Sequence, residues 1–380
     1  MQELTQFVAD LVRIPSYSDQ EGSIVQFVKE KMIQLGFDEV YVDRVGNVVG
    51  RMGQGKKILH FDSHVDTVKA EDANLWTYPP FSGAIVEGYL YGRGSVDMKA
   101  ALGASIYAAH LAKASGFLDG KTVYITGSIC EEYCDGVNLQ HFYKDSGVIP
   151  DACIICEPSN NLITLGHTGK IQARIKTKGV SAHGSAPEKG VNAVYAMAEV
   201  IQRVEQLNAK LSSKPKPHGT IVLSEISSVS ASLNAVPSEC SIYLDRRLVV
   251  GETLAEAKAQ LDELIVGKDA NWEIGTLTHT SWTGESLVYQ PIHEPWNIDT
   301  EHALTKLLRQ CYAEVLGKEA TEYNFWDFGT NAVTPLSLGV PTIGFGPGDY
   351  KLAHMVDERV PVSQLAEACA FYLKLIEKFH

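Results

Sequence analysis

The sequence predicts an α/β fold interrupted by a second, smaller domain. Three observations carry that expectation. Through the first 167 residues, short β-branched runs alternate with amphipathic or Ala-rich helical stretches, the order of a sheet covered by helices on both faces. Between 168 and 285 the order becomes strand, helix, strand, strand, helix, strand, the βαββαβ pattern of a ferredoxin-like domain. From 286 to 380 the α/β alternation resumes, so 1–167 and 286–380 form the larger domain and 168–285 is an insert. A chain of 380 residues is long for one core and agrees with two.

Residues 3–13 and 21–35 carry apolar side chains at helical spacing, and Gly36 stops the second stretch. “EVYVDR”, “GNVVGRM” and “KKILHFDSH” follow as short strands. “MKAALGASIYAAHLAKAS” (98–115) is rich in Ala and Leu and reads as a buried helix. “KTVYITGSI” (121–129) and “ACIIC” (152–156) are β-branched apolar runs of strand length. In the insert, “KIQARIKTKG”, “GTIVLSEISSV”, “ECSIYLDRRL” and “NWEIGTLTH” read as strands, and “GVNAVYAMAEVIQRVEQL” and “TLAEAKAQLDELIV” as helices. “SSKPKPHG” (212–219) is an exposed connection. A helix at 300–315, the strand “PTIGFGPG” and a last helix at 363–378 close the chain.

Hydrophobic residues make up 45% of the chain, enough for real cores, and the net charge is −13. An acidic chain repels polyanions, which argues against nucleic acid as a partner. No apolar run approaches the ~20 residues that span a bilayer, so no membrane association is expected. The N-terminus “MQELTQFVADLVRIP” lacks the basic start and apolar run of a secretory signal. Seven cysteines, an odd number without such a signal, point to reduced thiols and a cytoplasmic location. Cys153-x-x-Cys156 and Cys130-x-x-x-Cys134 read as packed core. Neither a G-x-G-x-x-G nucleotide loop after a strand nor a G-x-S-x-G nucleophile elbow is present.

Acidic and imidazole side chains gather where apolar elements end. “ILHFDSHVDTV” (58–68) places Asp62, His64 and Asp66 at alternate positions, on one face of a strand. Asp97 stands at the mouth of a helix, Glu131 and Glu132 just after one strand and Glu157 just after another. His354 lies in the Gly-rich loop “FGPGDYKLAHMVDE”. Ligands of an open α/β sheet bind beyond the carboxyl ends of its strands. Taken singly, Asp97 would cap a helix, the Glu pair would be solvated and His64 would be a satisfied core histidine. Taken together, they would repel and desolvate one another without a counter-charge. A bound cation removes that conflict, and mixed nitrogen and oxygen donors suit Zn²⁺, and also Mn²⁺ or Co²⁺.

In this order and at these spacings, His64-x-Asp66, Asp97, Glu131-Glu132, Glu157 and His354 resemble a family of dinuclear metallohydrolases. It is the acetylornithine deacetylase / succinyl-diaminopimelate desuccinylase / aminoacylase / glutamate carboxypeptidase family, and the resemblance covers essentially the whole chain. A subgroup linked to selenium metabolism shares “GVSAHGSAPEKGVNA”, “DRRLVVGET”, “SWTG” and “IGFGPG” in similar form. The resemblance implies a catalytic α/β domain of the zinc-exopeptidase type whose insert serves as lid and dimerisation domain. It implies two Zn²⁺ per chain, with Mn²⁺ or Co²⁺ as alternatives. Asp97 would bridge them, His64 and Glu157 would complete one site, and Glu132 and His354 the other. Asp66 would hydrogen-bond His64 and fix its tautomer. Two ions ~3.5–4 Å apart can share a water and lower its pKa towards ~7. Glu131 would take that water's proton as general base, which explains two adjacent glutamates. Asp62 is expected to hydrogen-bond backbone only.

In the same family, the histidine matching His183 reaches across a dimer and steadies the tetrahedral oxyanion, a contribution of roughly 10²–10³ in rate. Asn234 in “SLNAVP” and Arg247 in “YLDRRL” match substrate contacts, and an Arg fork suits a carboxylate. Arg246 is the adjacent alternative, and strand alternation lets only one of the two face the cleft. Asn331 in “FGTNA” stands where many relatives have Asp, in a loop that touches substrate. Glu157 fits the deacylase and carboxypeptidase branch, whereas relatives cleaving carbamoyl groups tend to carry His there. The expected activity is hydrolysis of the amide bond of an N-acyl amino acid or short peptide by a homodimer joined through the insert. A dipeptidase or aminopeptidase on the same centre is the alternative enzyme. A non-catalytic metal- and ligand-binding scaffold is the alternative of another class, and the retained Glu131 speaks against it.

Overall fold

Four apolar runs set the middle of the large sheet. In the computed structural model, which describes residues 2–380, the strands Lys121–Ser128, Lys57–His64, Ala152–Ile155 and Thr342–Gly344 lie side by side and parallel. Phe61 pairs with Ile125 on one side and Ile154 on the other, and all three are buried. Each such side chain contributes roughly 1.5–3 kcal/mol by leaving water. The sheet has nine strands. Glu39–Val42 and Val48–Gly53 extend it at one edge, and Thr164–His167, Trp296–Asn297 and Asn324–Trp326 at the other. Parallel pairing aligns the carboxyl ends, so His64 lies opposite Ser128 and Asp62 opposite Ile155. The residues that follow these strands therefore emerge along one rim.

The expected helices form at Gln2–Arg13, Gly22–Gln34, Ala100–Ala114, Ala303–Leu316 and Val362–Lys378. Ala100–Ala114 is buried along most of its length because its small residues admit close neighbours. A Cβ added at Gly103 would meet Val8 Cγ2 at 2.5 Å.

The insert is a separate layer. Strands Gly169–Lys178, Thr220–Val229, Glu239–Leu248 and Ala270–Ile274 alternate with helices Ala193–Ser212 and Leu254–Ile265 in the βαββαβ order. All neighbours are antiparallel, with Thr220–Val229 at the edge. Asn192 caps the first helix through the Val194 and Tyr195 amides, and Thr253 with Glu256 forms a capping box on the second. A second core, including Ile171, Ile175, Met197, Val200, Ile242 and Leu261, fills the space between sheet and helices.

Three features depart from the sequence expectation. The run “NWEIGTLTH” is two strands, broken at Gly275. Leu277–Thr280 turns away and pairs with Ser286–Tyr289. In that hairpin Trp282 Nε1–H donates to the Gly46 carbonyl at 3.1 Å, and Leu287 joins the large core. A helix at Val137–Ser146 and a small sheet of Ala84–Val86, Tyr89–Tyr91 and Arg359–Pro361 are additional. The chain crosses between the two bodies at 167–169, leaves the small sheet after Ile274 for the hairpin docked on the large body, returns where Ile292–His293 briefly pairs with the start of Gly169–Lys178, and crosses for the last time at 293–296. Among the described residues no helix is long and apolar enough to cross a membrane.

Candidate metal centre

Six of the predicted residues meet at the rim of the large sheet. His64 closes the Lys57–His64 strand, while Glu131 with Glu132 and Glu157 follow the two strands beside it. His64 Nε2 lies 2.8 Å from Asp97 Oδ1 and 3.7 Å from Glu157 Oε1. His354 Nε2 lies 3.3 Å from Asp97 Oδ2 and 3.0 Å from Glu132 Oε2. Asp97 thus presents one oxygen to each histidine. The ligand atoms of His64, Asp97 and Glu132 lie within 4.8 Å of one another, as do those of His64, Glu131 and Glu157.

The electrostatics of this cluster are lopsided. Burial pushes the Glu131 carboxyl well above the usual range, and neighbouring Glu157 adds to it. Glu157 rises for the same reason, with Asp97 as the next cause, and Glu132 is raised by burial and Asp97. Burial alone would raise Asp97 too, but His354 and His64 outweigh it and lower it. Hydrogen bonds to Asp97 and Glu132 raise His354 to about 10. Burial works against charge on His64, yet Asp66, Asp97 and Glu157 raise it well above its usual value. A divalent cation would supply the positive charge that this cluster calls for. Imidazole nitrogens and carboxylate oxygens converging at these distances fit a metal centre of the Zn²⁺, Mn²⁺ or Co²⁺ type.

Side chains beneath the cluster fix its geometry. Asp66 does hold His64, but chiefly through its backbone carbonyl, which accepts from Nδ1 at 2.9 Å; its carboxylate lies 3.5 Å away. This leaves Nε2 facing Asp97. The Asp66 carboxylate instead accepts the Glu131 and Glu132 amides at 3.1 and 3.2 Å and the Ser18 hydroxyl at 2.7 Å. Glu358 accepts the Val96 and Asp97 amides at 2.8 and 3.2 Å. Arg93 pairs with Glu358 at 2.6 Å and donates to the His354 carbonyl at 3.1 Å, so one guanidinium ties two ligand-bearing segments. His354 itself has a positive φ of 63°, a conformation that costs energy for a non-glycine residue and is held here by these contacts. Sequence reasoning missed Ser18, Arg93 and Glu358. The only signal was a charged residue inside Gly-rich “YGRGS”, and another four positions after His354.

One expectation is corrected. The Asp62 carboxylate does not bond backbone; it accepts the Thr126 hydroxyl at 2.5 Å and the Asn331 amide at 2.8 Å. Asn331 is buried, and its carbonyl oxygen accepts the Gly136 amide at 2.7 Å, so it supports the 130–136 stretch.

The insert residues stand apart from the cluster. His183 and Asn234 are exposed neighbours: His183 bridges to Ala235, and its Nδ1 contacts Ser185 Oγ at 2.7 Å. Arg246 and Arg247 fall on opposite faces. Arg246 is buried against Glu252 at 2.8 Å and Gln260 at 3.0 Å. Arg247 lies on the helix-free face, paired with Asp245 at 2.9 Å and partly exposed. All seven cysteines are unpaired and buried, as packed core.

Residues 60–378 match the family model described as Peptidase family M20/M25/M40. The uncharacterized protein YgeY of Escherichia coli is 34% identical over 374 residues, covering 97% of this chain and 93% of that protein. A succinyl-diaminopimelate desuccinylase of Cereibacter sphaeroides is 27% identical over 382 residues, covering 98% and 97%. Two solved structures share the fold. The M20 family metallo-carboxypeptidase Sso-CP2 of Sulfolobus solfataricus has a TM-score of 0.75 at 17% identity, covering 100% of this chain and 99% of that one. The aminopeptidase PepT of Bacillus cereus has a TM-score of 0.74 at 20% identity, covering 99% and 98%.

Proposed function

This chain belongs to peptidase family M20/M25/M40 and is a metal-dependent hydrolase of amide bonds, and on that premise we propose that it removes the acyl group from an N-acyl amino acid, or cleaves a short peptide, bearing a free carboxylate. The observation that carries the assignment of roles is the unequal environment of the two adjacent glutamates. His354 contacts Glu132, at 3.0 Å, while among the described residues Glu131 has no such ion-pair partner and lies with Glu157 and His64.

His64 and Glu157 would hold one ion, Glu132 and His354 a second, and Asp97 both. Zn²⁺ is the first choice, with Mn²⁺ or Co²⁺ as alternatives. Such ions, when bound, polarise the scissile carbonyl and make a water acidic enough to attack near neutral pH. Glu131 receives the proton of that water and delivers it to the departing amine. Asp66 keeps the glutamate pair in place through both backbone amides. Arg247, free of the buried pairing that occupies Arg246, receives the substrate carboxylate together with Asn234. A peptidase that reads a free amine needs an unpaired acidic group. Asp135, near Glu131, is already paired with Lys170 at 2.5 Å, which favours the deacylase reading over the dipeptidase or aminopeptidase one.

His183 has no role within its own chain that its neighbours reveal, and we assign it to the partner's site in a homodimer. The edge strand Thr220–Val229 supports that assembly. Val229 is 56% exposed and Tyr195, on the adjacent helix, 74%, so an apolar edge awaits cover by a two-fold partner. Unpaired cysteines throughout support a reducing, cytoplasmic location.

The test is a screen of N-acetyl, N-succinyl and N-carbamoyl amino acids and of dipeptides, each with Zn²⁺, Mn²⁺ and Co²⁺. Hydrolysis of an N-acyl amino acid that stops when its carboxylate is amidated is the expected result. Cleavage that requires a free amine and ignores the carboxylate would establish the aminopeptidase reading instead.

A further inference from the structure

Asp135 sits just beyond Glu132, in the 130–136 stretch that joins the Lys121–Ser128 strand to the Val137–Ser146 helix. Both ends of that stretch are fixed to the large body. Asp66 holds the Glu131 and Glu132 amides. Asn331 accepts the Gly136 amide at 2.7 Å, and Thr334 donates to the Gly136 carbonyl at 2.6 Å. Asp135 makes its contacts elsewhere. Its Oδ2 takes Lys170 Nζ at 2.5 Å and the Tyr289 hydroxyl at 3.0 Å, with His293 Nε2 at 3.7 Å.

Lys170 and His293 are direct partners in the small sheet and flank the first and the last of the chain crossings. The crossings are in contact with one another. A Cβ on Gly169 would fall 2.4 Å from Pro295 N and 2.7 Å from the His293 carbonyl oxygen. These two segments therefore pack directly against each other. On one side the cluster is closed: a Cβ on Gly329 would meet Asp135 Oδ2 at 2.6 Å and His293 Nε2 at 2.9 Å. On the other it borders a cavity of about 900 Å³ lined by Asp135, His167, Tyr289, His293 and Trp296. Movement of the crossings has room in that one direction.

We propose that Asp135 is a positioning residue that couples the orientation of the small domain to the placement of the Glu131–Glu132 stretch. Stability alone gives little reason for the arrangement, because a buried ion pair is commonly no better than well-packed apolar side chains. What an ion pair adds is strict geometry: losing one partner strands the other charge. Small-domain motion that pulls Lys170 and His293 away therefore pulls on Asp135, and through it on the two glutamates. The coupling rests on geometry alone, while its effect on turnover rests on the hydrolase reading above.

The experiment uses the metal-loaded full chain with Asp135→Asn, Asp135→Glu and Gly329→Ala. Two readouts need no substrate. Spin labels at Lys144→Cys and Lys258→Cys, on exposed positions of the two bodies, report the distance between them, since the native cysteines are buried. Hydrogen exchange over 129–136 reports the glutamate stretch. Asp135→Asn is expected to broaden the distances and speed exchange by about tenfold or more, with metal content unchanged. Gly329→Ala, which pries the same contact from another element, is expected to do likewise. Asp135→Glu keeps the anion, has the cavity to extend into, and is expected to restore both. On a substrate found in the screen, Asp135→Asn should lower kcat by about 10–10²-fold with little change in KM.

Faster exchange with unchanged distances, or broadened distances with wild-type exchange, would show that the two are not coupled. No change in either has the same meaning. Changes in both with an unchanged kcat would overturn the positioning role. If Asp135→Asn does not fold, Gly329→Ala carries the comparison. A wild-type chain inactive in the screen would remove the hydrolase reading and leave the distance and exchange comparison intact.

Discussion

Asn331 donates its side-chain amide to the buried Asp62 carboxylate at 2.8 Å. Asn331→Asp would set two buried carboxylates against each other and is expected to cost about 3–5 kcal/mol. Adding Asp62→Asn should return most of it. Urea midpoints of the single and double variants check this, and a single variant as stable as the wild type would remove the compensation.

The glutamate pair gives a second prediction. Glu131→Gln should keep its metal and lose about 10²–10⁴ in turnover, because only a proton carrier is removed. Glu132→Gln takes away the carboxylate that His354 approaches at 3.0 Å and should lower the metal bound. Metal analysis beside initial rates separates the two, and the opposite pattern would exchange their roles.

Asp97 touches both histidines, at 2.8 and 3.3 Å. Asp97→Ala should therefore reduce metal content at both sites, measured on protein dialysed against Zn²⁺. Retention of the full wild-type content would exclude a shared ligand.

Chelation should destabilise the folded chain. Without a cation the converging carboxyls must keep protons or repel. Restoring Zn²⁺ at a thousandfold excess over its Kd would return about 4 kcal/mol. A thermal midpoint indifferent to chelator and metal would contradict the counter-charge argument.

His183→Ala should lower kcat by roughly 10²–10³ with metal content unchanged. Mixed with Glu131→Gln protein, it should regain activity, since one site of the mixed dimer has an intact centre and an intact partner imidazole. Subunit exchange verified by mass, without recovery, would reject the trans arrangement.

Much of the centre is legible in the sequence because strand ends are. A run such as Ile58–Phe61 marks its own carboxyl end, and a parallel sheet turns several such ends into one rim. What stays hidden is joined over long separations. Arg93 and Glu358 meet across 265 positions, and Asp62 and Asn331 across 269. Their local sequence contexts do not tell which residue pairs with which. The Val137–Ser146 helix escapes detection because Asn138, Gln140, His141 and Lys144 are interleaved with its buried Val137, Leu139, Phe142 and Tyr143. The break at Gly275 has a tertiary cause: a Cβ there would fall 2.2 Å from the Tyr243 hydroxyl oxygen, a contact that the β-like run around it does not foretell.

Thr342–Gly344 lies between Ala152–Ile155 and Thr164–His167 in the large sheet, yet the ribosome delivers it after the entire insert. During synthesis the small domain, whose buried core runs from Ile171 to Leu264, is complete while the large sheet still lacks a central strand. The nascent chain thus carries a finished module on an unfinished one, with unpaired apolar strand edges exposed to its neighbours. A ribosome-bound chain arrested before residue 342 should yield a protease-resistant fragment from the small domain and none from the large. The demand on chaperones should fall away only as Val362–Lys378 emerges and packs.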